Sequence, residues 1–211
     1  MSNRMCGIAG YINLTSPVEI SRDILQRMAR IIRHRGPDAQ GIYAEPDAGL
    51  AHARLSIIDL DGGRQPMSNE DGSLWITFNG EIFNYLELRE ILLKRDHRFR
   101  TQSDTEVILH LFEDEGEDCV HRLNGQWAFA IWDRKRKRLV LSRDRLGVRP
   151  LFYTESKGQF LFASEIKALF AHPNIGRELD VGALAEIFTY WVTLPHARFS
   201  KTSTSCPPGI R

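Results

Sequence analysis

The sequence predicts a layered α+β fold built from antiparallel sheets. Many short apolar segments are separated by turn residues, and a few segments with helical periodicity lie between them. The regular alternation of strands and helices that is typical of a parallel sheet is missing. A chain of 211 residues without an internal repeat can bury one substantial hydrophobic core, so we expect one main domain.

The first predicted elements are a strand and a helix. Small apolar residues over 7–12 predict a buried strand that begins right after Cys6. A helix is then predicted between an N-cap at Ser21 and a stop at Gly36-Pro37. Its apolar residues recur at helical spacing: Leu25, Met28, Ile31 and Ile32.

Two strands and two helices are predicted in the middle of the chain. The strands cover 50–58 and 74–78, and the second ends at Asn79-Gly80, a dipeptide that turns readily because both residues tolerate positive φ. Asn84 followed by Glu87 predicts the capped start of a helix that runs to about Lys94. Either Ser103 or Asp104 caps a helix over 105–115.

The last third of the chain contains four predicted short strands: 127–132, 138–142, 151–154 and 159–163. Helices are predicted over 166–171 and 181–189. Residues 196–211 are rich in Ser, Thr, Pro and basic residues and show no apolar period, so we expect this tail to be poorly ordered.

Composition indicates an ordinary soluble globular protein. Apolar residues make up 42%, charged residues 26%, and the formal net charge is +1, which does not favour a nucleic-acid or membrane-surface partner. The three cysteines, Cys6, Cys119 and Cys206, are scattered, so we expect neither a disulfide framework nor a paired-cysteine zinc site. Without a signal peptide or a long apolar run, a cytoplasmic location is expected.

A series of motifs resembles, in order, those of class II glutamine amidotransferases. The segment MCGIAG at 5–10 resembles the start of these enzymes, in which the cysteine becomes residue one after loss of the initiator methionine. The other motifs are HRGPD at 34–38, ARLSI at 53–57, FNGEIFNY at 78–85, SDTE at 103–106, DRLGVRPL at 144–151 and FASEIK at 162–167. Within that family, residues 5–195 resemble the glutaminase domain of glutamine-hydrolysing asparagine synthetases. The resemblance implies an amino-terminal-nucleophile hydrolase fold, a four-layer αββα sandwich of antiparallel sheets flanked by helices.

The resemblance also implies the catalytic residues. Cys6 would attack the side-chain amide of glutamine, and its own α-amine, with an ordinary pKa of about 7.7–8, would carry the proton. Asn79, through its side-chain amide, and Gly80, through its backbone N–H, would hold the oxyanion. Taken in isolation, Cys6 would more often be a small buried apolar residue and Asn79-Gly80 a simple turn. The surrounding motifs favour the catalytic interpretation.

The substrate-binding residues are likewise implied by the resemblance. Arg54 would clamp the α-carboxylate of glutamine through its planar fork, and Asp104 would bind the α-ammonium, a role compatible with a helix N-cap. Glu81 would shape the pocket, and the ARLSI motif adds Leu55 and Ile57. His34 is interpreted as a dipole partner at a helix end or as loop packing, and the basic segment 143–149 as a structured turn.

Three features depart from the family pattern. Residues 1–5 precede the nucleophile, and we expect them to be absent from the working enzyme because an acylated nitrogen cannot act as a base. No P-loop-type motif occurs, so ATP and Mg²⁺ are expected only in a synthetase domain outside this chain, and the glutaminase step itself needs no cofactor. The tail at 196–211, after a domain at 6–195, is expected to be disordered or read in a shifted frame.

The resulting hypothesis is a glutaminase that releases glutamate and ammonia through a thioester. Its partners would be L-glutamine and an ammonia-accepting synthetase domain or chain that forms asparagine or a related amide, without nucleic acid or membrane. Homodimerisation is left open. The alternatives are a catalytically silent domain kept for binding or assembly, and a truncated synthetase fragment.

Overall fold

The computed structural model describes residues 5–56, 59, 62–178, 181–191, 204–205 and 209–210. Within these ranges the chain forms eleven strands: β1 (Gly7–Asn13), β2 (Ala39–Ala44), β3 (Ala48–Arg54), β4 (Met67–Ser68), β5 (Leu74–Ile82), β6 (Gly125–Asp133), β7 (Arg138–Arg143), β8 (Phe152–Ser156), β9 (Gln159–Ala163), β10 (Thr204–Ser205) and β11 (Gly209–Ile210). The helices are α1 (Arg22–Ile31), α2 (Tyr85–Leu93), α3 (Asp104–Glu115), α4 (Ile166–Leu169), α5 (Val181–Tyr190) and a 3-10 helix (Gly116–His121).

The strands form two antiparallel sheets. The first sheet has the order β10-β8-β9-β1-β3-β2, and the second has the order β11-β7-β6-β5-β4. The strand that follows Cys6 lies inside the first sheet, between β9 and β3. In the second sheet β6 lies between β5 and β7. The predicted antiparallel architecture is confirmed.

Side chains on each strand alternate between a helix layer and the opposite sheet. On β6, Trp127, Phe129 and Ile131 pack with the apolar residues of α2 and α3. Their neighbours Ala130 and Trp132 pack against the first sheet. A third cluster joins the first sheet to α1 and α4. Because successive strand residues face opposite sides, the two sheets stack face to face with helices outside, which confirms the four-layer αββα sandwich.

The predicted helix starts are mostly confirmed. Ser21 accepts a hydrogen bond from the Ile24 amide at the start of α1. Ser103, rather than Asp104, is the N-cap of α3, because its hydroxyl accepts from the Thr105 amide and the helix begins at Asp104. Asn84 is the N-cap residue of α2, as predicted, but its side chain makes no capping hydrogen bond. Its side chain instead joins two backbone groups of the segment before β6.

The predicted turn at Asn79-Gly80 is wrong, because β5 continues through both residues to Ile82. The whole of β5 pairs with β6 in register. A Cβ at position 80 would lie 2.2 Å from the Gln126 carbonyl oxygen. Glycine is therefore needed here for close approach of two strands, not for a positive φ.

The remaining differences concern strand ends and segments without a prediction. The strand predicted over 50–58 ends at Arg54, and residues 57 and 58 lie outside the described ranges. Strands β2 and β4 and the 3-10 helix were not predicted. Two pairs of tail residues are described, as β10 next to β8 and β11 next to β7. In the part of the chain that the structure describes, no helix is both long and apolar enough to cross a membrane.

Candidate active site

A cleft of about 520 Å³, including its open mouth, lies where Cys6, β3, β5 and the start of α3 meet. Residues from six separate segments line it: Cys6, Arg54, Leu55, Gly63, Gln65, Phe78, Gly80, Glu81, Ser103, Asp104, Thr105 and Arg149. Six of these were predicted as site residues: Cys6, Arg54, Leu55, Gly80, Glu81 and Asp104. Predicted residues that lie up to 98 positions apart in the sequence thus share one cleft.

The Cys6 thiol lies just before β1 and is half-buried. Its Sγ is 3.3 Å from the Leu55 backbone nitrogen, which donates to it, and 3.5 Å from the Leu55 carbonyl oxygen. Arg35 donates from Nε to the Cys6 carbonyl at 2.9 Å and so fixes the backbone. Burial raises the pKa of the thiol, and the Leu55 hydrogen bond and the Arg54 charge offset this only in part. At neutral pH the thiol is therefore protonated and needs a base before it can attack.

Asn79 lies on β5 between two residues of the cleft wall. Its side chain is on the face of β5 opposite to the Phe78 ring, and only 1% of the residue is exposed. The Asn79 Nδ2 atom has no hydrogen-bond partner among the described residues. A buried donor without an acceptor costs about 1–3 kcal/mol. Asn79 itself does not line the cleft.

A buried histidine that sequence reasoning missed lies beside this strand. The His52 Nε2 on β3 is 3.1 Å from the Phe78 carbonyl oxygen and bridges the two sheets. Burial lowers the pKa of His52 to about 4, so the ring is neutral and Nε2 carries the proton that it donates. The signal in the sequence is a histidine within an otherwise apolar stretch of a buried strand.

Arg54 ends β3 and is almost completely buried. Its guanidinium donates to the Asp59 carbonyl. The Asp59 carboxylate accepts from the Gln102 amide at 2.7 Å and from the Gly62 amide at 2.8 Å. These contacts couple the end of β3 to the segment that enters α3. Ile57, predicted as a binding residue, lies outside the described residues.

Asp104 is the first residue of α3, and 4% of it is exposed. Its Oδ2 accepts from the Ile82 amide at 3.1 Å. Burial raises the pKa of this carboxyl from 3.8 to about 6, because the hydrogen bonds from Ile82 and Thr105 compensate only part of the lost hydration. Among the described residues it forms no ion pair within 4 Å. The cleft thus contains a dehydrated carboxylate that forms no ion pair with the residues that the structure describes.

Residues 5–210 match the family of the glutamine amidotransferase domain. The chain belongs to this family. Asparagine synthetase [glutamine-hydrolyzing] 2 of Bacillus subtilis (strain 168) is 46% identical over 204 residues, which cover 95% of this chain and 27% of that protein. Asparagine synthetase [glutamine-hydrolyzing] 3 of the same organism is 44% identical over 186 residues, 87% of this chain and 30% of that protein. The amidotransferase domain therefore spans less than a third of the length of these relatives.

A solved structure resembles the fold of this amidotransferase domain. The glutamine phosphoribosylpyrophosphate amidotransferase from B. subtilis, complexed with ADP and GMP, matches with a TM-score of 0.66 and 22% identity. The match covers 79% of this chain and 43% of that one. The predicted resemblance to class II amidotransferases and the amino-terminal-nucleophile hydrolase type of fold are confirmed.

Arg149 is a cleft residue of the amidotransferase domain that the sequence analysis assigned only to a structured turn. That turn is present, because the Asp144 carboxylate accepts from the amides of Leu146, Val148 and Arg149 at 2.9–3.1 Å. The turn directs Arg149 into the cleft, where its Nε is buried without a hydrogen-bond partner among the described residues. Burial, and then the charge of Arg35, lower the pKa of Arg149.

Two further contacts shape the cleft of the amidotransferase domain. Gln65 accepts from the Phe78 amide at 2.6 Å and donates to the Thr105 hydroxyl at 3.1 Å, so it joins β5 to α3.

His34 does not line the cleft. Its Nε2 lies 2.8 Å from Glu165, in agreement with the loop-packing interpretation.

Proposed function

We propose that this domain hydrolyses L-glutamine to glutamate and ammonia through a thioester on Cys6. The observation that carries the proposal is a single cleft that holds a thiol together with one buried cation, Arg54, and one buried anion, Asp104. An α-amino acid presents a carboxylate and an ammonium at one end, and this pair of charges is its complement. The ammonia would serve asparagine formation, or a related amidation, in a synthetase domain or chain.

The charges in the cleft support recognition of the amino-acid end of glutamine. Asp104 is largely ionised at neutral pH but lacks a cation among the described residues, and a substrate ammonium would supply one. Arg54 offers a planar fork that fits a carboxylate through two hydrogen bonds. We propose that Leu55, Ile57 and Glu81 complete the binding site around the side chain of the substrate.

The chemical step follows from the state of the thiol. Because burial keeps Cys6 protonated, its proton would pass to its own free α-amine as sulfur attacks the amide carbon. The Asn79 amide and the Gly80 N–H would hold the oxyanion, a role that gives the buried Asn79 Nδ2 an acceptor. The amine then protonates the leaving nitrogen, ammonia departs, and water hydrolyses the thioester to glutamate. The step uses no cofactor, and ATP and Mg²⁺ would belong to a synthetase domain.

This chemistry requires Cys6 to be the first residue, so we propose that residues 1–5 are absent from the active form. The test compares protein released by a protease so that it begins at Cys6 with protein whose mass confirms that residues 1–5 are retained. We expect glutamate release only from the first form, and none from its Cys6→Ala variant. A glutamine-analogue chloroketone should add to the first form once.

The outcomes separate the alternatives. Equal turnover by the form that retains residues 1–5 would refute the proposed base. Glutamine binding without turnover by the Cys6-initiated form would instead indicate a silent binding domain.

A further inference from the structure

A second group of ligand-type side chains lies outside the glutamine cleft. His97 follows α2, and His110 and Glu113 lie about one turn apart on α3. One ligand atom from each lies within 4.8 Å of the others. Glu113 Oε2 is 2.7 Å from His110 Nδ1 and 3.7 Å from His97 Nδ1. Both imidazoles therefore direct the same ring nitrogen towards a shared carboxylate.

The opposite nitrogen of each ring faces another carboxylate. His97 Nε2 lies 2.9 Å from Asp114 Oδ1. His110 Nε2 lies 3.8 Å from Glu106 Oε1 and makes no hydrogen bond with the described residues, although the side chain is only 1% exposed. Metal-binding histidines almost always donate their second ring N–H to a carboxylate, a carbonyl or water, which fixes the tautomer and the ring orientation. Here this outer hydrogen bond is in place for His97, whereas Glu106 lies next to His110 Nε2 without bonding to it.

The carboxylates around the rings are themselves held. Glu106 accepts from the backbone amides of Arg100 and Thr101 at 2.8 and 2.7 Å. Glu113 Oε1 accepts from Asn69 Nδ2 at 2.7 Å, which leaves Oε2 for the histidines. A fourth ligand is within reach, because Glu70 Oε2 lies 4.0 Å from His110 Nδ1.

We propose that His97, His110 and Glu113 bind one divalent transition-metal ion of the zinc class. Two imidazoles and a carboxylate, with Glu70 or water as the fourth ligand, suit Zn²⁺, which is bound at about 2.0–2.2 Å in tetrahedral geometry. Such geometry places neighbouring ligand atoms about 3.3 Å apart. The distances of 2.7 and 3.7 Å from Glu113 Oε2 bracket that value, and all three ligand atoms lie within 4.8 Å of one another, so side-chain rotations that bring the ligands together would close the site.

The metal-free cluster is a set of ion pairs. His110 Nδ1 lies 2.7 Å from Glu113 Oε2, and a hydrogen bond to this carboxylate places a proton on Nδ1 that a metal ion must displace. On binding, Zn²⁺ takes the Nδ1 lone pair and that proton is released to solvent. The ion would join the end of α2, the loop at Glu70 and the middle of α3. Because α3 begins with Asp104, the site would stabilise an element of the glutamine cleft without taking part in the hydrolysis.

The test is a metal titration of the full chain with Cys6→Ala and Cys206→Ala, which removes two competing thiols. After treatment with a chelator, we expect one equivalent of Zn²⁺ to bind at pH 8 and to raise the unfolding temperature, whereas Mg²⁺ does not. Co²⁺ should give the visible bands of a tetrahedral site without thiolate charge transfer. His97→Gln, which replaces a partly exposed ligand, and Glu113→Gln should each weaken Zn²⁺ binding at least tenfold.

Two further variants separate metal binding from a general effect on the fold. His121→Gln changes an exposed histidine outside the cluster and should leave the affinity unchanged. Glu106→Gln, which keeps the shape of the outer partner of His110, should weaken binding about 10- to 100-fold. Absence of Zn²⁺ binding in a large molar excess of the metal, or equal affinity in the parent and His97→Gln, would overturn the proposal.

Discussion

Replacement of Asp104 by asparagine should stabilise the fold at pH 8 and weaken glutamine binding at the same time. Burial raises the pKa of this carboxyl from 3.8 to about 6. A group whose pKa is higher in the folded state contributes stability below its unfolded pKa, and this contribution is lost as pH rises through the folded pKa. A gap of about two units corresponds to about 3 kcal/mol of lost stability at pH 8.

The asparagine variant removes the charge but keeps the shape. Its side-chain oxygen can still accept from the Ile82 amide, as Asp104 does now at 3.1 Å. We therefore expect Asp104→Asn to raise the free energy of unfolding by up to about 3 kcal/mol at pH 8 and to have little effect near pH 4. Urea denaturation at a series of pH values measures this, with Glu155→Gln as the control for loss of an exposed carboxylate. A variant that is less stable at pH 8, or a difference that does not change with pH, would refute the reasoning.

The same substitution tests the proposed role in substrate binding. A hydrogen bond to a charged group contributes about 1.5–3 kcal/mol, so loss of the carboxylate should raise KM about 10- to 100-fold with a smaller change in kcat. In the parent enzyme kcat/KM should fall as pH drops below about 6, because protonated Asp104 cannot pair with an ammonium. A pure loss of kcat in the variant would contradict this role.

Four other substitutions give distinct expected results. Asn79→Ala should retain glutamine binding, measured by calorimetry in a Cys6→Ala background, but lose about 10²–10³ in kcat when Cys6 is present, as for loss of an oxyanion donor. Arg54→Lys should raise KM about tenfold or more in steady-state assays, because lysine cannot form the paired contact with a carboxylate. Gly80→Ala should destabilise the fold by at least about 1–3 kcal/mol in urea denaturation, because its Cβ would meet the Gln126 carbonyl at 2.2 Å. Arg149→Met should shift the pH profile of Cys6 alkylation to higher pH, because the Arg149 charge lowers the pKa of that thiol.

The sequence predicted correctly the helices and strands that form because of their own residue pattern. The strand after Cys6 and helix α1 follow from runs of apolar residues and from the Ser21 cap. Strand β2 was missed because its residues are mostly half-exposed and show no clear alternation, so its pairing with β3 depends on a neighbour and not on its own pattern. The same cause explains the error at Asn79-Gly80, where pairing with β6 outweighs the local preference for a turn.

The candidate site likewise contains residues that the sequence indicated and residues that only the folded structure reveals. The resemblance assigned roles to six cleft residues, but it assigned none to Gln65 and Arg149, which also line the cleft. Gln65 faces the site because it joins β5 to α3, and Arg149 because Asp144 folds its turn. The Gln65 contacts do not follow from spacing along the chain, because they join residues 13 and 40 positions apart. A basic residue beside glycine and proline was correctly interpreted as part of a turn, but the direction of its side chain depends on the fold.

The cleft contains several energetically unfavourable polar groups that one zwitterionic ligand would stabilise. Asp104 is a dehydrated carboxylate without a cation, and the Asn79 Nδ2 and Arg149 Nε atoms are buried donors without acceptors among the described residues. Proteins tolerate such groups where activity requires them, and the usual result is a binding site less stable than its surroundings. A ligand that binds only the folded state stabilises it by about 2.7 kcal/mol at 100 times its Kd. L-Glutamine should therefore protect the Cys6→Ala protein against urea, and Asp104→Asn should lose this protection although it is the more stable protein without ligand.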